Sequence, residues 1–279
     1  MSGFRTLGRF ALFPLILVAL ANCSRGPGAG AETLIHPDAP GARVEYFVRT
    51  PKIAGPRPTI LFLHGHQPPL ARPGGEAFVK WGILDRYARK GYLAVAVSLP
   101  GYGGSSGPED FAGPFARHAV EAVIARLEAQ RRAAPGKILI QGVSLGAVTA
   151  ALVASRRSDV AGLVLISGLY DLPAFLTPPR SPAARDIEAA VTRQTGGGGE
   201  ALRSRSALLV AAKIGARTLI LNGARDDRTD PGQARRLGEL LNANGTYARV
   251  HIYPRFGHEI PVAARQAEVD AFIAETLRP

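Results

Sequence analysis

The segment from Gly142 to Gly146 reads Gly-Val-Ser-Leu-Gly, a spacing that can turn a serine hydroxyl into a nucleophile. It follows a β-rich run that ends at Gln141 and opens a segment rich in alanine and leucine. A serine between a strand and a helix sits on a sharp, exposed turn, and the helix N-terminus favours developing negative charge. The glycines are required because side chains would clash where strand and helix approach. The pattern predicts Ser144 as the nucleophile of an acyl-transfer reaction.

A serine nucleophile needs a base within hydrogen-bond reach, because a hydroxyl reacts poorly near neutral pH. His258 is the candidate base, since it lies between the last β-rich run and the last helical run, where a loop residue can point over the carboxyl edge of a sheet. Other histidines are placed differently: His118 falls within a helical run, His251 within a β-rich run and His36 in the N-terminal segment. The alternative role for His258 is a helix cap.

A third group must fix the tautomer of the base, and a carboxylate serves this purpose in serine hydrolases. The β-rich run at 218–222 is followed by Gly-Ala-Arg-Asp-Asp-Arg, which places carboxylates beyond a strand end. We assign Asp226 as the acid from its spacing to that glycine, and Asp227 stays open as a one-residue alternative. Asp171 is the reserve candidate, with a loop cap as its structural role. Asp230 precedes a proline and is expected to cap a helix.

The tetrahedral intermediate of acyl transfer carries a negative oxygen that needs two hydrogen-bond donors. One should be the backbone N–H of Leu145, and the other should come from the His-Gly-His-Gln loop after the β-rich run at 59–63. We assign this second donor to the backbone of His66. Loss of one such donor raises the barrier by about 2.7–4 kcal/mol.

The same loop has a competing interpretation, in which His64 and His66 bind a metal ion. A metal site needs three or four ligands, and the residues that follow are Gln-Pro-Pro. The oxyanion interpretation accounts for the loop better, and we expect neither a metal nor an organic cofactor.

Short β-rich runs alternate with longer helical runs through most of the chain, which predicts an α/β fold with a mostly parallel sheet and helices on both faces. Residues 168–216 interrupt the alternation and are expected to form a small cap insertion. The strands are predicted at 44–49, 59–63, 93–98, 138–141, 163–167, 218–222 and 250–253, and the helices at 76–90, 115–132, 145–156, 231–242 and 262–277.

The N-terminus has the pattern of an export signal. Arg5 and Arg9 precede an apolar run at 10–21, which is about half the ~20 residues needed to cross a bilayer. Cleavage before Asn22 fits the small residues at its end, whereas Cys23 sits where a bacterial lipoprotein carries its lipid. Both alternatives stay open, so we expect an exported protein that is periplasmic or membrane-anchored through Cys23.

These features divide the chain into a signal at 1–23, a Gly- and Pro-rich tether at 24–41 and one folded domain at 42–279. The chain has 279 residues, and 46% of them are hydrophobic, enough for one large core. With a single cysteine no internal disulfide can form.

The formal net charge of +12 raises the question of nucleic-acid binding. The arginines are scattered along the chain and occur only in short pairs such as Arg131 and Arg132. No basic stripe interleaved with aromatic residues is present, so we do not expect a nucleic-acid partner.

The chain order Ser144, Asp226, His258, with His64 and Gly65 upstream, resembles the α/β-hydrolase superfamily over roughly residues 42–277. The resemblance implies that fold and a serine hydrolase activity. Two further segments, 98–105 and 226–228, look most like the dienelactone-hydrolase and prolyl-oligopeptidase-like branches. Dienelactone hydrolases use a cysteine nucleophile, and prolyl oligopeptidases carry an N-terminal propeller that this chain is too short to contain. The resemblance therefore implies a compact, carboxylesterase-like enzyme.

The expected reaction is hydrolysis of a small-molecule carboxylic ester through an acyl-enzyme. Two alternatives remain: a serine peptidase of prolyl-oligopeptidase-like type, and a non-catalytic binding protein that retains the fold. The absence of covalent labelling at Ser144 would favour the binding protein.

Overall fold

The computed structural model describes residues 30–176 and 181–278. Eight strands form one sheet in the order β1-β2-β4-β3-β5-β6-β7-β8. The first pairings, β1 with β2 and β2 with β4, are antiparallel, and all the others are parallel. The strands are β1 (Ala31–His36), β2 (Ala39–Arg49), β3 (Arg57–Leu63), β4 (Leu93–Val97), β5 (Ala133–Val143), β6 (Val160–Ile166), β7 (Arg217–Gly223) and β8 (Ala248–Tyr253).

Helices cover both faces of this sheet, as the alternation of β-rich and helical runs predicts. The α-helices are α1 (Glu76–Lys80), α2 (Ile83–Arg89), α3 (Pro114–Ala129), α4 (Leu145–Ala154), α5 (Leu172–Phe175), α6 (Pro182–Thr195), α7 (Gly199–Arg203), α8 (Pro231–Ala243) and α9 (Val262–Leu277), and a 3₁₀ helix spans Ala207–Lys213.

The sheet separates two apolar layers. Along β5, Ile138 and Ile140 face the larger layer, which includes α3, α4 and α8, whereas Leu139 faces the layer of α1, α2 and α9. This alternation is the period-two geometry of a strand, and it buries central strands on both faces. All five residues of β4 are accordingly buried.

The folded body starts earlier than the sequence predicts. Residues 31–41 were expected to belong to a tether, but they form β1 and the start of β2. Glu32 accepts hydrogen bonds from Tyr46 and Arg132, and His36 stacks on Phe115 with ring centroids 3.6 Å apart. A short edge strand with polar residues lacks the apolar run that marks a buried strand, so its sequence resembles a linker.

One predicted helix is divided in two. The run at 76–90 forms α1 and α2, because Gly82 between them adopts φ +67°, a left-handed conformation that interrupts a helix. The predicted helix at 262–277 has the observed bounds of α9.

Residues 167–216, between β6 and β7, contain α5, α6, α7 and the 3₁₀ helix in their described part. This is where the sequence predicts an insertion. Among the described residues, no helix combines the length and apolar character needed to cross a membrane. The predicted signal, Cys23 and the first residues of the predicted tether lie outside the described residues.

Candidate active site

Ser144 lies on a tight turn between β5 and α4, at the carboxyl edge of the sheet. Its backbone has φ 53° and ψ −115°, a strained conformation for a residue with a side chain. The flanking glycines make the turn sterically feasible. A Cβ on Gly142 would lie 2.1 Å from the carbonyl oxygen of Gly146, and a Cβ on Gly146 would lie 2.2 Å from that of Leu63. The close approach predicted from the sequence is therefore present.

His258 and Asp226 form a buried pair. The Nδ1 atom of His258 lies 3.0 Å from Oδ2 and 3.1 Å from Oδ1 of Asp226. The loops that carry them are joined by backbone bonds, since the Arg225 N–H donates to the Phe256 carbonyl at 3.0 Å. Gly223 permits this contact, because a Cβ there would lie 2.1 Å from a carbonyl oxygen of the histidine loop.

Asp226 is held as a carboxylate by several donors. The amides of Arg228 and Thr229 each donate to Oδ1 at 2.9 Å, while the Thr229 hydroxyl and the Asn222 side-chain amide donate to Oδ2 at 2.7 and 3.1 Å. Burial alone would raise the pKa of Asp226, but the hydrogen bonds and charge interaction with His258, together with Thr229, hold that pKa below its ordinary value. An ionised Asp226 places the imidazole proton on Nδ1 and leaves Nε2 as a proton acceptor.

Ser144 and His258 line one cavity of about 1040 Å³. Residues at the end of β6 form hydrogen bonds with both Ser144 and His258. The Ser144 N–H donates to the Ile166 carbonyl at 2.8 Å, and the hydroxyl of Ser167 donates to the His258 carbonyl at 2.8 Å. Ser167 is buried and has φ 50°, yet nothing in the sequence pattern distinguishes it. It is a supporting residue that sequence reasoning missed.

The two predicted oxyanion donors belong to segments that lie next to Ser144. Leu145 is the first residue of α4, so its N–H has no acceptor within the helix. His66 lines the cavity, and its neighbour Gly65 packs so closely that a Cβ there would lie 3.2 Å from Cβ of Ser144. Within residues 30–176 and 181–278, neither the Leu145 nor the His66 amide donates a hydrogen bond to a protein group.

The His64 side chain forms hydrogen bonds with backbone groups. Its Nδ1 atom lies 2.8 Å from the Gly65 carbonyl oxygen, and its Nε2 atom accepts the Leu99 N–H at 3.0 Å. Burial lowers the pKa of His64 to about 4, so the ring is neutral near neutral pH. With both nitrogens engaged, His64 has no lone pair for a metal. The described part of the chain contains no group of three or more potential metal ligands.

Glu109 joins the loop at 64–67 to α6 through Tyr102 and Gln194. It accepts hydrogen bonds from Gln194 at 2.7 Å and from Tyr102 at 3.4 Å, and it forms an ion pair with Arg72. The Tyr102 hydroxyl lies 2.9 Å from Nδ1 of His66. Burial lowers the pKa of His66, partly offset by the charge of Glu109. The sequence carries no signal for this network, because its members are far apart in the chain.

The other candidate carboxylates have structural contacts. Asp171 accepts the Ala174 N–H at 3.2 Å as the N-cap of α5, the cap role considered for it. Asp230 accepts the Gly232 N–H at 2.9 Å as the N-cap of α8, as predicted. Asp227 is exposed, and the carboxylate that contacts His258 belongs to Asp226.

Comparisons with known proteins agree with this architecture. A model of the prolyl oligopeptidase family matches residues 117–278, and one of the X-Pro dipeptidyl-peptidase (S15) family matches residues 14–188. Acylaminoacyl peptidase from Pyrococcus horikoshii has a TM-score of 0.70 at 18% identity, over 89% of this chain and 41% of its own. Acetyl xylan esterase 1 from Thermoanaerobacterium sp. has a TM-score of 0.67 at 18% identity, over 85% of this chain and 80% of its own.

A protein described as an esterase from Mycobacterium tuberculosis is 34% identical over 113 residues, which are 40% of this chain and 33% of that esterase. The match thus spans about a third of this curated relative. The structural likenesses confirm the predicted α/β-hydrolase fold. The prolyl oligopeptidase match covers more than half of the chain and includes Ser144, Asp226 and His258. The chain therefore belongs to the prolyl oligopeptidase family of serine hydrolases with the α/β-hydrolase fold.

Proposed function

We propose that this protein hydrolyses carboxylic esters of small molecules through an acyl-enzyme on Ser144. One observation carries the proposal. The buried His258–Asp226 pair and the strained Ser144 turn lie at the same cavity, which Ser144 and His258 both line. A cavity of about 1040 Å³ is at the upper end of the size range of small-molecule sites.

The arrangement of the site supports the following roles. Oγ of Ser144 attacks the ester carbonyl while Nε2 of His258 takes its proton, and the Leu145 and His66 amides stabilise the oxyanion. The imidazolium then gives this proton to the departing alkoxide. The acyl group remains on Oγ of Ser144 as an acyl-enzyme. Water activated by His258 hydrolyses the acyl-enzyme, and the acid is released.

The test is whether blocking or replacing Ser144 alone abolishes ester hydrolysis. A fluorophosphonate should label the wild type at Ser144, and Ser144→Ala should lower ester turnover by orders of magnitude while leaving the unfolding midpoint nearly unchanged. Peptide mass mapping and a 4-nitrophenyl ester assay measure the two effects. Retained turnover in Ser144→Ala would overturn the assignment, and unlabelled folded wild type would favour a binding protein.

A peptidase activity is the second candidate, because both family models carry peptidase names and acylaminoacyl peptidase is a structural neighbour. The esterase relative and the acetyl xylan esterase neighbour support the ester proposal. Paired 4-nitrophenyl esters and 4-nitroanilides with the same acyl groups separate the two. Faster acylation by the anilides, despite their poorer leaving group, would favour the peptidase.

Export is a separate proposal, supported by the sequence pattern at residues 1–23. The full chain expressed in a bacterium should lose residues 1–21 or 1–22 and leave the cytosol. Intact mass after fractionation distinguishes cleavage before Asn22 from lipidation of Cys23, and Cys23→Ser should abolish the lipid. A cytosolic protein that retains the segment would contradict the proposal.

A further inference from the structure

The cavity continues beyond Ser144 toward the α9 side of the sheet. Gln141 and Val143 line it, and alternation along β5 places both on the same face as Leu139. The wall on this side is otherwise largely apolar and includes Phe78, Trp81, Ile83, Ile260 and Val262. An aliphatic chain or ring of a substrate can therefore pack here.

Most polar groups at this end of the cavity bond to one another. The Gln266 side-chain amide donates to the Tyr87 hydroxyl at 3.0 Å and to Asp270 at 2.9 Å, and the Tyr87 hydroxyl donates to Asp270 at 3.0 Å. Gln141 is different. It is 6% exposed, and its Oε1 atom has no hydrogen-bond partner. A buried amide oxygen without a donor is costly, so Gln141 favours a ligand that places a hydrogen-bond donor nearby.

Arg265 is the second polar group with free bonding capacity. Its Nε donates to the Ile260 carbonyl at 3.2 Å, which fixes the guanidinium next to the His258 loop, and the side chain lines the cavity. Within the described ranges it has no carboxylate at ion-pair distance. The carboxylates of the His258 loop and of α9 that form ion pairs have other partners: Glu259 pairs with Arg228, Glu268 with Arg249 and His251, and Asp270 with Arg86 and Lys90.

Burial lowers the pKa of Arg265, because water is withdrawn from its charge, while Tyr87, Tyr253 and Glu259 act in the opposite direction. A guanidinium stays protonated despite such a shift. Of the remaining charged residues of the lining, Arg72 pairs with Glu109, while Asp186 and Arg193 lie on α6 and carry opposite charges. Arg265 is thus a cation with unused donors at the apolar end of the cavity, an arrangement suited to a planar carboxylate.

We propose that the natural substrate is an ester that also carries a free carboxylate, which Arg265 binds, and a hydroxyl or N–H group that donates to Oε1 of Gln141. This inference rests on the proposed ester hydrolysis and adds its substrate class. A half-ester of a dicarboxylic acid carries the carboxylate on the acyl side, and an ester of a hydroxy acid carries it on the alcohol side; a hydroxyl or amide substituent on either would supply the donor for Gln141.

The test compares matched substrates that differ in one charge. On the acyl side they are mono-4-nitrophenyl adipate and its terminal primary amide, and on the alcohol side the acetate ester of 4-hydroxyphenylacetic acid and its primary amide. At least one carboxylate should be preferred over its amide by about tenfold or more in kcat/KM, the factor that a charge-assisted hydrogen bond contributes. Arg265→Gln should abolish this preference, and Arg265→Lys should restore part of it.

Arg255→Gln is the matched control, because it removes the same charge from an exposed residue outside the cavity lining and should keep the preference. Fluorophosphonate labelling shows whether each variant retains a folded site, and competitive inhibition of the wild type by adipate provides a second measurement if Arg265→Gln does not fold. Equal kcat/KM for both members of both pairs in the wild type, or a preference retained in Arg265→Gln, would refute the inference while leaving ester hydrolysis intact. Failure of the wild type to hydrolyse any ester would instead refute the proposed function, and the inference with it.

Discussion

At the scale of single residues, the site depends on groups held in fixed protonation states. Asp226 is buried but accepts bonds from His258, Arg228 and Thr229, so its carboxylate is stabilised without bulk water. His64 shows the opposite case, a buried imidazole that is kept neutral by loss of solvation. Both states follow from burial together with hydrogen-bond partners.

Asp226→Asn should reduce kcat on an ester by a factor on the order of 10⁴, because the amide favours the wrong tautomer of His258. Steady-state kinetics measures the loss, and the rate of fluorophosphonate labelling should fall with it. The neighbouring exposed Asp227→Asn is the control and should change kcat by less than about threefold. Equal losses in the two variants would show that the assignment of Asp226 over Asp227 is wrong.

His64 should make folding stability depend on pH. Its pKa is about 4 when folded and about 6.5 when unfolded, so between these values the unfolded chain binds more protons. The free energy of unfolding should therefore fall as the pH drops from 6.5 toward 4, by an amount on the order of 3 kcal/mol from this group.

Urea unfolding of the wild type and of His64→Gln across this pH range measures the effect. The variant removes the titrating group and retains an acceptor for the Leu99 N–H. Its stability should vary less with pH than that of the wild type. Parallel pH profiles for the two proteins would mean that the pKa of His64 is the same in the folded and the unfolded chain.

At the scale of elements, the decisive contact is between α4 and the strands beneath it. β3 and β5 run side by side, and α4 begins where β5 ends, so helix and sheet backbones nearly touch. Glycine is the residue that permits this approach, because it lacks a Cβ. The position of the Ser144 turn is thus set by backbone packing.

Gly146→Ala should destabilise the protein by roughly 3 kcal/mol or more, because the new methyl group would lie 2.2 Å from the Leu63 carbonyl oxygen and would push α4 away from β3. Gly215→Ala is the control, since no atom lies within 4 Å of its added Cβ, and it should change stability by less than about 0.5 kcal/mol. Chemical unfolding of both variants tests the difference. Similar midpoints would mean that the turn accommodates a side chain.

At the scale of the whole molecule, the site lies at one edge of a single sheet that has apolar layers on both faces. The loops that carry His64, Ser144, Asp226 and His258 all leave the carboxyl ends of parallel strands, which meet at one edge. The antiparallel strands β1 and β2 extend the sheet on the side opposite β8. They add buried surface and contribute none of these four residues.

A chain that begins at Ala42 should be less stable than one that begins at Gly30. Its free energy of unfolding should be lower by roughly 2–4 kcal/mol, so it should unfold at a lower denaturant concentration. The shorter chain lacks β1, the Glu32 partner of Tyr46 and the buried His36 that stacks on Phe115. Guanidinium unfolding of both purified chains measures the difference. Coincident curves would show that residues 31–41 behave as the tether that their sequence suggests.

The sequence by itself determined the alternation of elements and the residues at the ends of the strands. Period-two and helical patterns with glycine at a turn are local properties, so Ser144, His258 and the bounds of α9 could be predicted from nearby residues. Asp226 could be placed to within one position, because a strand end is visible in the sequence while the direction of a side chain in a loop is not.

Only the tertiary structure decided the contacts between distant segments. β1 owes its conformation to pairing with β2, and the interruption at Gly82 depends on a backbone angle that the helical pattern does not encode. The contacts of Ser167 and Glu109, and the role proposed for Arg265, depend on neighbours far away in the chain. The physical reason is that burial and hydrogen-bond partners, which set the charge and orientation of these groups, exist only after the chain has packed.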